Sequence, residues 1–557
     1  TDRARAEATD RAAAITARTG RQITADALLD SPHQFLGTVD AICDKLIGLR
    51  ERLGVSSFML GDAVVMAPIV ERLAGRCAAA GPARERPPGA AGERPGPAAA
   101  RDTVRSMADP SGRRIGIVAT RLAGTDGVSL EVAKWTAVLE RLGFTCYFMA
   151  GQLDRPVERS RLVPMAYYRE PEIVAITSAL FSGDWRTMAE ADAEHPSIKR
   201  RDFFSPYVRP PHVAQRIDEL KAELKSATYA FIRDFDLDML IVENALAIPI
   251  HVPLGLALTE VIAETGIPVL AHHHDLPWER SRFAVNSAAD YIAAAFPPSL
   301  PSIHHVVINS QQAQQLAWRT GLTSRVIPNV MDFDQPPPPD DGYAVAARTD
   351  LGVEADEALV LQPTRIIQRK GIEHAIELVR RLGRPARLVI SHAGGDEGDA
   401  YEQRVREFAH LLDVPVRFEA QVVSAMRGET ADGRRVYALD DIYPIADLVT
   451  YPSSTEGFGN AFLEAVYYRR PLVVNRYSTY ETDIRPHGFR VVEFSDFISE
   501  ATCRDVRRLL DDPAMVAEWA EANYELARRH FSFTVLEQRL MSLTVEALGD
   551  RSPATRR

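Results

Sequence analysis

The chain has 557 residues, 46% hydrophobic and 25% charged, proportions that exclude a wholly disordered or fibrous protein and a length that gives about two to four domains. A formal net charge of -11 disfavours nucleic acid as a partner, because a protein that neutralises phosphates is usually basic. No run of about 18 apolar residues lacks a charge, so no membrane-spanning helix is expected, and the opening TDRARAEATDR has no apolar stretch of the kind a secretory signal carries.

Residues 1–76 read as a small α/β piece. Val39, Ile42, Leu46, Leu49 and Leu53 mark a helical stripe, VSSFML (55–60) reads as a buried strand, and Asp62 caps a helix that stops at Gly75. The stretch from HQFLGTVDAICDKLIGLRERLGVSSFMLGD to VERLAG resembles the C-terminal end of the luciferase-like monooxygenases, especially the deazaflavin-dependent ones, a family of β/α barrels. Only the last strand and its flanking helices are represented, so the barrel does not close and no deazaflavin site carries over. A deazaflavin-dependent oxidoreductase is the alternative function that this stretch implies, and it needs the missing barrel. As a fusion remnant or gene-model artefact the stretch leaves Met107 as the expected native start. Residues 77–112 are rich in Pro, Gly, Ala and Arg and bury too little apolar surface to offset ordering entropy, so a disordered linker is expected.

From Arg113 strand and helix alternate. Strands are expected at 114–120, 144–150, 238–244, 267–273 and 304–310, with helices at 212–234, 253–265, 278–296 and 310–320. Residues 151–211 are less regular. FDQPPPPDDGYA (333–344) is a Pro-rich hinge, after which strands follow at 358–364, 387–393, 414–420, 448–453 and 471–476. Helices begin near Gly371, Asp399, Gly459 and Ser499, and the last two cover 513–530 and 533–548. Apolar runs of strand length between helices indicate parallel sheets buried on both faces. The fold class is α/β: two doubly wound Rossmann-like domains, 113–334 and 345–530, facing a cleft, with 531–557 returning as a helix and tail. The four cysteines, Cys43, Cys77, Cys146 and Cys503, lie far apart. That spacing argues against structural zinc and fits reduced thiols in a cytoplasmic protein.

Glu456-Gly457-Phe458-Gly459-Asn460-Ala461-Phe462-Leu463-Glu464 leaves a strand and opens a helix. Its glycines allow close approach of backbone to a ligand, and N–H groups at a helix start favour an anion. Two carboxylates eight residues apart on a helix are about 12 Å apart, beyond the roughly 5–9.5 Å of a glycosidase pair, so unless the loop bends Glu456 back they serve separate parts of a ligand. Arg365 and Lys370 flank a loop at another helix start, Pro363 to Gly371, where cations oppose the macrodipole unless a polyanion binds there.

Together these motifs resemble the retaining nucleotide-sugar glycosyltransferases of GT-B fold, family four, over about 113–548, and IPNVMDF (327–333) matches that family's Pro-Asn-Gly-Val-Asp segment with Val330 in place of Gly. The resemblance implies that Glu456 holds hydroxyls of the donor hexose. Backbone N–H groups of Gly457, Phe458 and Gly459 contact sugar and phosphates, Glu464 accepts from the ribose, and Arg365 and Lys370 bind the diphosphate. It implies that 113–334 receives the acceptor and 345–530 the donor, with no required cofactor and no essential divalent metal. Gly124, in the loop Gly124-Thr125-Asp126-Gly127, faces the diphosphate, with Thr125 and Asp126 toward the acceptor, unless the loop is simply a tight turn.

His272-His273-His274-Asp275 ends a further strand. Successive side chains in a strand alternate faces, so no metal site is expected. By resemblance His274 meets the donor sugar and reaction centre. Arg280 and Arg282 either meet an acidic acceptor or form a solvated face, and Glu243-Asn244 either bind acceptor hydroxyls or serve the structure. GTDGVSLEVAKW, the histidine stretch and ISHAGGDEGD are similar to mannosylglucosylglycerate-type synthases, which build compatible solutes. The expectation is hexosyl transfer from GDP-mannose or UDP-glucose to a small hydroxyl acceptor. The non-enzymatic alternative is a degenerate sugar-nucleotide binding protein. No G-x-G-x-x-G follows the strand at 114–120, which argues against a dinucleotide dehydrogenase.

Overall fold

The computed structural model describes residues 112–124, 126–181, 207–394, 400–424 and 426–549, with short stretches among the first 45. The chain divides into two compact units, Thr1–Gly96 and Pro97–Arg557. In the first, residues 42–45 are helical and Cys43 is buried. The expected strand at 55–60, the helix from Asp62 and nearly all of the linker lie outside the described residues.

In the second unit, β1 (Arg114–Val118), β2 (Thr145–Ala150), β3 (Ser160–Leu162), β4 (Met239–Glu243), β5 (Val269–His273), β6 (Ile303–Val307) and β7 (Ser324–Val326) form a sheet in the order β3-β2-β1-β4-β5-β6-β7. All its pairings are parallel. Every residue of β4 and β5 is buried, because helices cover both faces of the sheet. The chain turns back at β1 and β4, so the loops leaving their carboxyl ends open a crevice, the usual ligand position in such sheets.

The second sheet repeats the plan. Strands β8 (Ala358–Gln362), β9 (Ala386–Ile390), β10 (Val416–Phe418), β14 (Leu448–Tyr451), β15 (Leu472–Asn475) and β16 (Val492–Phe494) lie in the order β10-β9-β8-β14-β15-β16. They too pair in parallel. Its switch point lies between β8 and β14, where the loops carrying Lys370 and Glu456 emerge. A small sheet of β11 (Val423–Ser424), β12 (Gly428–Glu429) and β13 (Arg435–Ala438), ordered β11-β13-β12, hangs between β10 and β14.

The C-terminal helices stitch the two halves together. Helix Pro513–Phe531 puts Tyr524, Ala527 and Phe531 into the second domain's core. Ser532 then caps helix Phe533–Leu548 by accepting from Val535 N. That helix places Leu536, Leu540 and Leu543 beside Trp135, Val138 and Leu139 of helix Gly127–Arg141, in the first domain's core. Burying such side chains is worth roughly 1.5–3 kcal/mol each. Among the described residues no helix is long and apolar enough to cross a membrane. Cys43, Cys146 and Cys503 are free and buried, and burial pushes the Cys146 thiol up to about 12.

One expected helix differs. Residues 278–296 break into short turns at Pro277–Glu279 and Ser281–Phe283 and a helix at Ala289–Ala295. The Glu279 carboxylate accepts from Leu276 N at 2.7 Å and Gln312 Nε2 at 3.0 Å, and Arg280 adopts extended backbone (φ -120, ψ 106). These bonds hold an open turn whose arginines reach the cleft.

Candidate active site

On the second domain, strand β14 runs into the loop 452–459, followed by helix Asn460–Tyr467. Side chains anchor three successive carbonyls of this loop. Thr479 Oγ1 donates to the Glu456 carbonyl at 3.0 Å, Asn309 Nδ2 to that of Gly457 at 2.7 Å, and the Tyr477 hydroxyl to that of Phe458 at 2.8 Å. In a trans peptide the N–H points opposite to the C=O, so the N–H groups of Gly457, Phe458 and Gly459 turn to the other side of the loop. Gly459 has φ 141, and a Cβ there would lie 2.6 Å from the Tyr477 hydroxyl oxygen, so only glycine fits.

The Glu456 carboxylate is buried against two cations. Arg369 Nη1 lies 3.0 Å from Oε2, and Lys370 Nζ pairs with Oε1. Burial raises a carboxyl's pKa, but Lys370 and Arg369 outweigh it and hold Glu456 below the usual range. Burial pulls the Lys370 ammonium below its ordinary value, with Glu456 opposing. The loop that carries these cations ends at Gly371 (φ 59), where a Cβ would meet the Pro452 carbonyl oxygen at 2.6 Å. Arg365 is exposed on the same loop.

The helix starts at Asn460, so Glu456 precedes it and the eight-residue spacing is not a helical rise. Glu464 accepts from the Tyr443 hydroxyl at 2.7 Å, and burial raises its pKa. His392, which sequence reasoning passed over, sits 2.8 Å from Ser391 Oγ through Nδ1. Burial, with the charges of Lys370 and Arg365, brings it down to about 4.

On the first domain, Glu243 ends β4 and is fully buried. It accepts from His272 Nδ1 through Oε1 at 3.2 Å and from His274 Nε2 through Oε2 at 3.0 Å. Burial opposes its charge, yet the two histidines hold it at about 2. Burial lowers His272; for His274 the hydrogen bond and charge of Glu243 win, and its pKa is raised. Alternation of faces therefore separates His273, which bonds His305 at 2.9 Å, but puts His272 and His274 on one face beside Glu243. The ligating atoms of these three lie within 4.8 Å of one another, a spacing that a divalent cation also accepts, and here hydrogen bonds occupy them. His272 stacks on Trp135, ring centroids 4.2 Å apart. Asn244, at φ 59, accepts through Oδ1 from His274 N at 3.1 Å and so fixes the turn.

Gly124 (φ 76) donates to Asp154 Oδ2 at 2.8 Å. Asp126 caps helix Gly127–Arg141 by accepting from Val128 N at 3.1 Å and Ser129 N at 3.2 Å. Thr125 lies outside the described residues.

A cavity of about 920 Å³ opens between the two domains, lined by Arg121, Arg169, Arg280, Arg282, Arg365 and Arg369 with Asp126, Glu243, Asn244, Asp275 and Glu279. Arg280 pairs with Asp275 at 2.6 Å, Arg121 with Asp126 at 3.0 Å, and Arg282 lies 4.7 Å over the Phe283 ring. The structure thus brings Asp126, Glu243, Asn244, Arg280, Arg282 and Arg365 to one space. Arg121, Arg169 and Arg369 join them without a motif to announce them, although Arg369 stands beside Lys370. Polar contacts close the cleft elsewhere: Ser310 N and Oγ each donate to Asp483 at 2.9 Å, and Asn329 Nδ2 to Asn460 Oδ1 at 2.7 Å.

Residues 433–526 match the family model of glycosyl transferases group 1. The chain is 30% identical over 400 residues to the mannosylglucosylglycerate synthase of Petrotoga mobilis, covering 68% of this chain and 86% of that protein. It is 27% identical over 460 residues to the synthase of the same name from Thermotoga maritima, covering 76% and 98%. In fold it resembles a glycosyltransferase from Rickettsia africae, with TM-score 0.52 and 14% identity over 79% of this chain and 99% of that one. A cleft built from two doubly wound sheets, with glycine and cation loops at one sheet's switch point, is the GT-B arrangement, and the chain belongs to the group 1 glycosyltransferases, in the family of the mannosylglucosylglycerate synthases.

Proposed function

We propose that the chain moves a hexosyl group from a nucleotide sugar, GDP-mannose or UDP-glucose, to a small acidic acceptor of the glucosylglycerate type, with retained anomeric configuration. The observation that carries this reading is the placement of Arg365 and Arg369, beside Lys370 and Glu456, on the same 920 Å³ cavity as Arg280 and Arg282. Two anions have to be received in that space, the donor's diphosphate and the acceptor's carboxylate. Cations from the second domain suit the first and cations from the first domain suit the second. The names of the relatives from Petrotoga and Thermotoga support the acceptor class.

In this reading Arg365 and Lys370 hold the diphosphate and Glu456 orients the hexose. Glu464 receives ribose hydroxyls, and the N–H groups of Gly457, Phe458 and Gly459 meet sugar and phosphate, with Gly124 opposite. Arg280 and Arg282 hold the acceptor carboxylate, while Thr125, Asp126 and Asn244 serve its hydroxyls. The acceptor oxygen bonds to the anomeric carbon on the face that the diphosphate leaves. The bond from that carbon to the diphosphate oxygen breaks, and a phosphate oxygen takes the acceptor's proton. The protein supplies alignment and fixed charge. Arg365 and Lys370 neutralise the leaving diphosphate, so the scheme requires no divalent ion. His274 lies beside the donor loop, its carbonyl oxygen 3.4 Å from the position of a Gly457 Cβ, and serves the reaction centre. The reaction is placed in the cytoplasm.

The test is acceptor-dependent release of nucleoside diphosphate with each donor, with glucosylglycerate or its uncharged amide as acceptor, and the product's anomeric configuration read by NMR. Retained configuration and a strong preference for the carboxylate are expected; an inverted product or equal use of the amide overturns the reading.

A further inference from the structure

The foot of helix Ser310–Thr320 carries a hydrogen-bonded chain across the cleft. Asn309 ends the loop after β6 and is buried. Its Nδ2 donates to the Gly457 carbonyl of the other domain at 2.7 Å, and its Oδ1 accepts from Gln312 N at 2.7 Å. The Gln312 side chain is 1% exposed. Its Oε1 accepts from Ile308 N at 3.2 Å, and its Nε2 donates to the His274 carbonyl and to Glu279 Oε2, each at 3.0 Å. Glu279 Oε2 in turn accepts from Leu276 N at 2.7 Å. One polar path therefore runs from the donor loop to the turn 274–279.

Capping the helix requires only Asn309 Oδ1. The cap accounts neither for the Asn309 amide group at Gly457 nor for the Gln312 amide group at His274. Both side chains are buried, where an unmet amide is costly. The approach of the two loops is also tight: a Cβ on Gly457 would lie 2.9 Å from Ile308 Cδ1. The first bond exists only when the two domains stand together, and the rest lie within the first domain.

We propose that Asn309 and Gln312 are positioning residues that couple docking of the donor loop to the placement of His274. With the Gly457 carbonyl on the Asn309 amide, the Asn309 side chain is fixed, and with it the start of the helix and the Gln312 amide that holds the His274 turn. Without that bond the donor still binds, but the turn is not set for transfer. The inference rests on reading the cleft as a donor and acceptor site.

Asn309→Asp tests it. The aspartate keeps the capping oxygen and the size but replaces the donor to Gly457 with a second oxygen. Gln312→Met leaves the cross-cleft bond intact and removes the hold on His274. Both variants are expected to lose at least about tenfold in kcat, the effect of one buried hydrogen bond, with the nucleoside diphosphate Kd within about threefold of wild type. Asp483→Ala, which breaks the cross-cleft contact at Ser310 but leaves the Asn309 and Gln312 side-chain bonds in place, keeps kcat within about twofold. A second readout needs no turnover: with GDP or UDP as probe, the NMR signal of the His274 imidazole shifts in the wild type and stays in place in Asn309→Asp. Wild-type kcat in a folded Asn309→Asp or Gln312→Met variant overturns the coupling, as does an equal shift of His274 in wild type and Asn309→Asp. Absence of wild-type turnover with a normal shift in wild type alone keeps the coupling and overturns the transfer reading instead.

Discussion

Nε2 of His274, the residue after β5, lies 3.0 Å from Oε2 of Glu243 at the end of β4, so the carboxylate fixes the orientation of the imidazole and favours its protonated form. The other charges acting on His274 are Glu131 and Asp275, which also favour its protonated form. His274 has a raised folded pKa, so its stabilising share is full below the unfolded value of about 6.5 and is lost as pH rises through the folded one. Glu243 is held at about 2; its share is present above an unfolded value of about 4.3 and is lost as pH falls through the folded one. Glu243→Gln is expected to move the alkaline limb of the pH–rate profile to lower pH and reduce kcat about tenfold. An unmoved limb in the variant contradicts an imidazole whose protonated form Glu243 favours.

Lys370 and Glu456 form the buried pair of the donor loop. Lys370→Met leaves Glu456 with Arg369 alone and is expected to cost roughly 3 kcal/mol of stability, the scale of a broken buried pair. Glu456→Gln in addition should restore most of the stability and none of the turnover. Denaturant unfolding of the two variants and wild type, beside their rates, separates these effects.

Arg280 reaches the cavity from its pair with Asp275. Arg280→Ala should raise the acceptor KM about tenfold, the value of one charge-assisted hydrogen bond, with little change in donor KM. The uncharged acceptor amide should lose this dependence on Arg280. Initial rates with both acceptors check it.

Two of the buried histidines contribute to the loss of stability in acid. His251, whose Nε2 is 2.7 Å from the Met165 carbonyl, and His305 are each held at about 4 by burial. Their folded values lie below the unfolded one, so the unfolded chain binds more protons and stability rises with pH between about 4 and 6.5. At pH 5 each is expected to cost on the order of 1–2 kcal/mol relative to pH 7. Urea midpoints at the two pH values measure the loss, and His251→Gln should flatten the slope.

The central strands were legible in the sequence because β1, β4, β5, β8 and β14 are almost wholly buried and appear as mainly apolar runs of strand length. The donor loop was legible because Gly459 and Gly371 occupy backbone positions that side chains cannot. Edge strands such as β3 and β7, three residues each, leave too short a pattern to read. The broken helix at 278–296 depends on Gln312 and Glu279, which meet only in the fold. Alternation along β5 was applied to neighbouring histidines, and its other consequence, that His272 and His274 share a face, appears once Glu243 stands beside them. The contact of Asn309 with Gly457 joins positions 148 residues apart and has no local signature.

The most direct test of the account is acceptor-dependent turnover of a nucleotide sugar by wild type and Glu456→Gln, with nucleoside diphosphate binding measured on both. The account predicts hexosyl transfer by the wild type. It predicts a loss of at least about a hundredfold in a variant that still binds the nucleotide, the scale of removing a group that acts in the transition state. Equal turnover by both proteins would contradict it, as would a wild type that binds the nucleotide and transfers to no acidic acceptor.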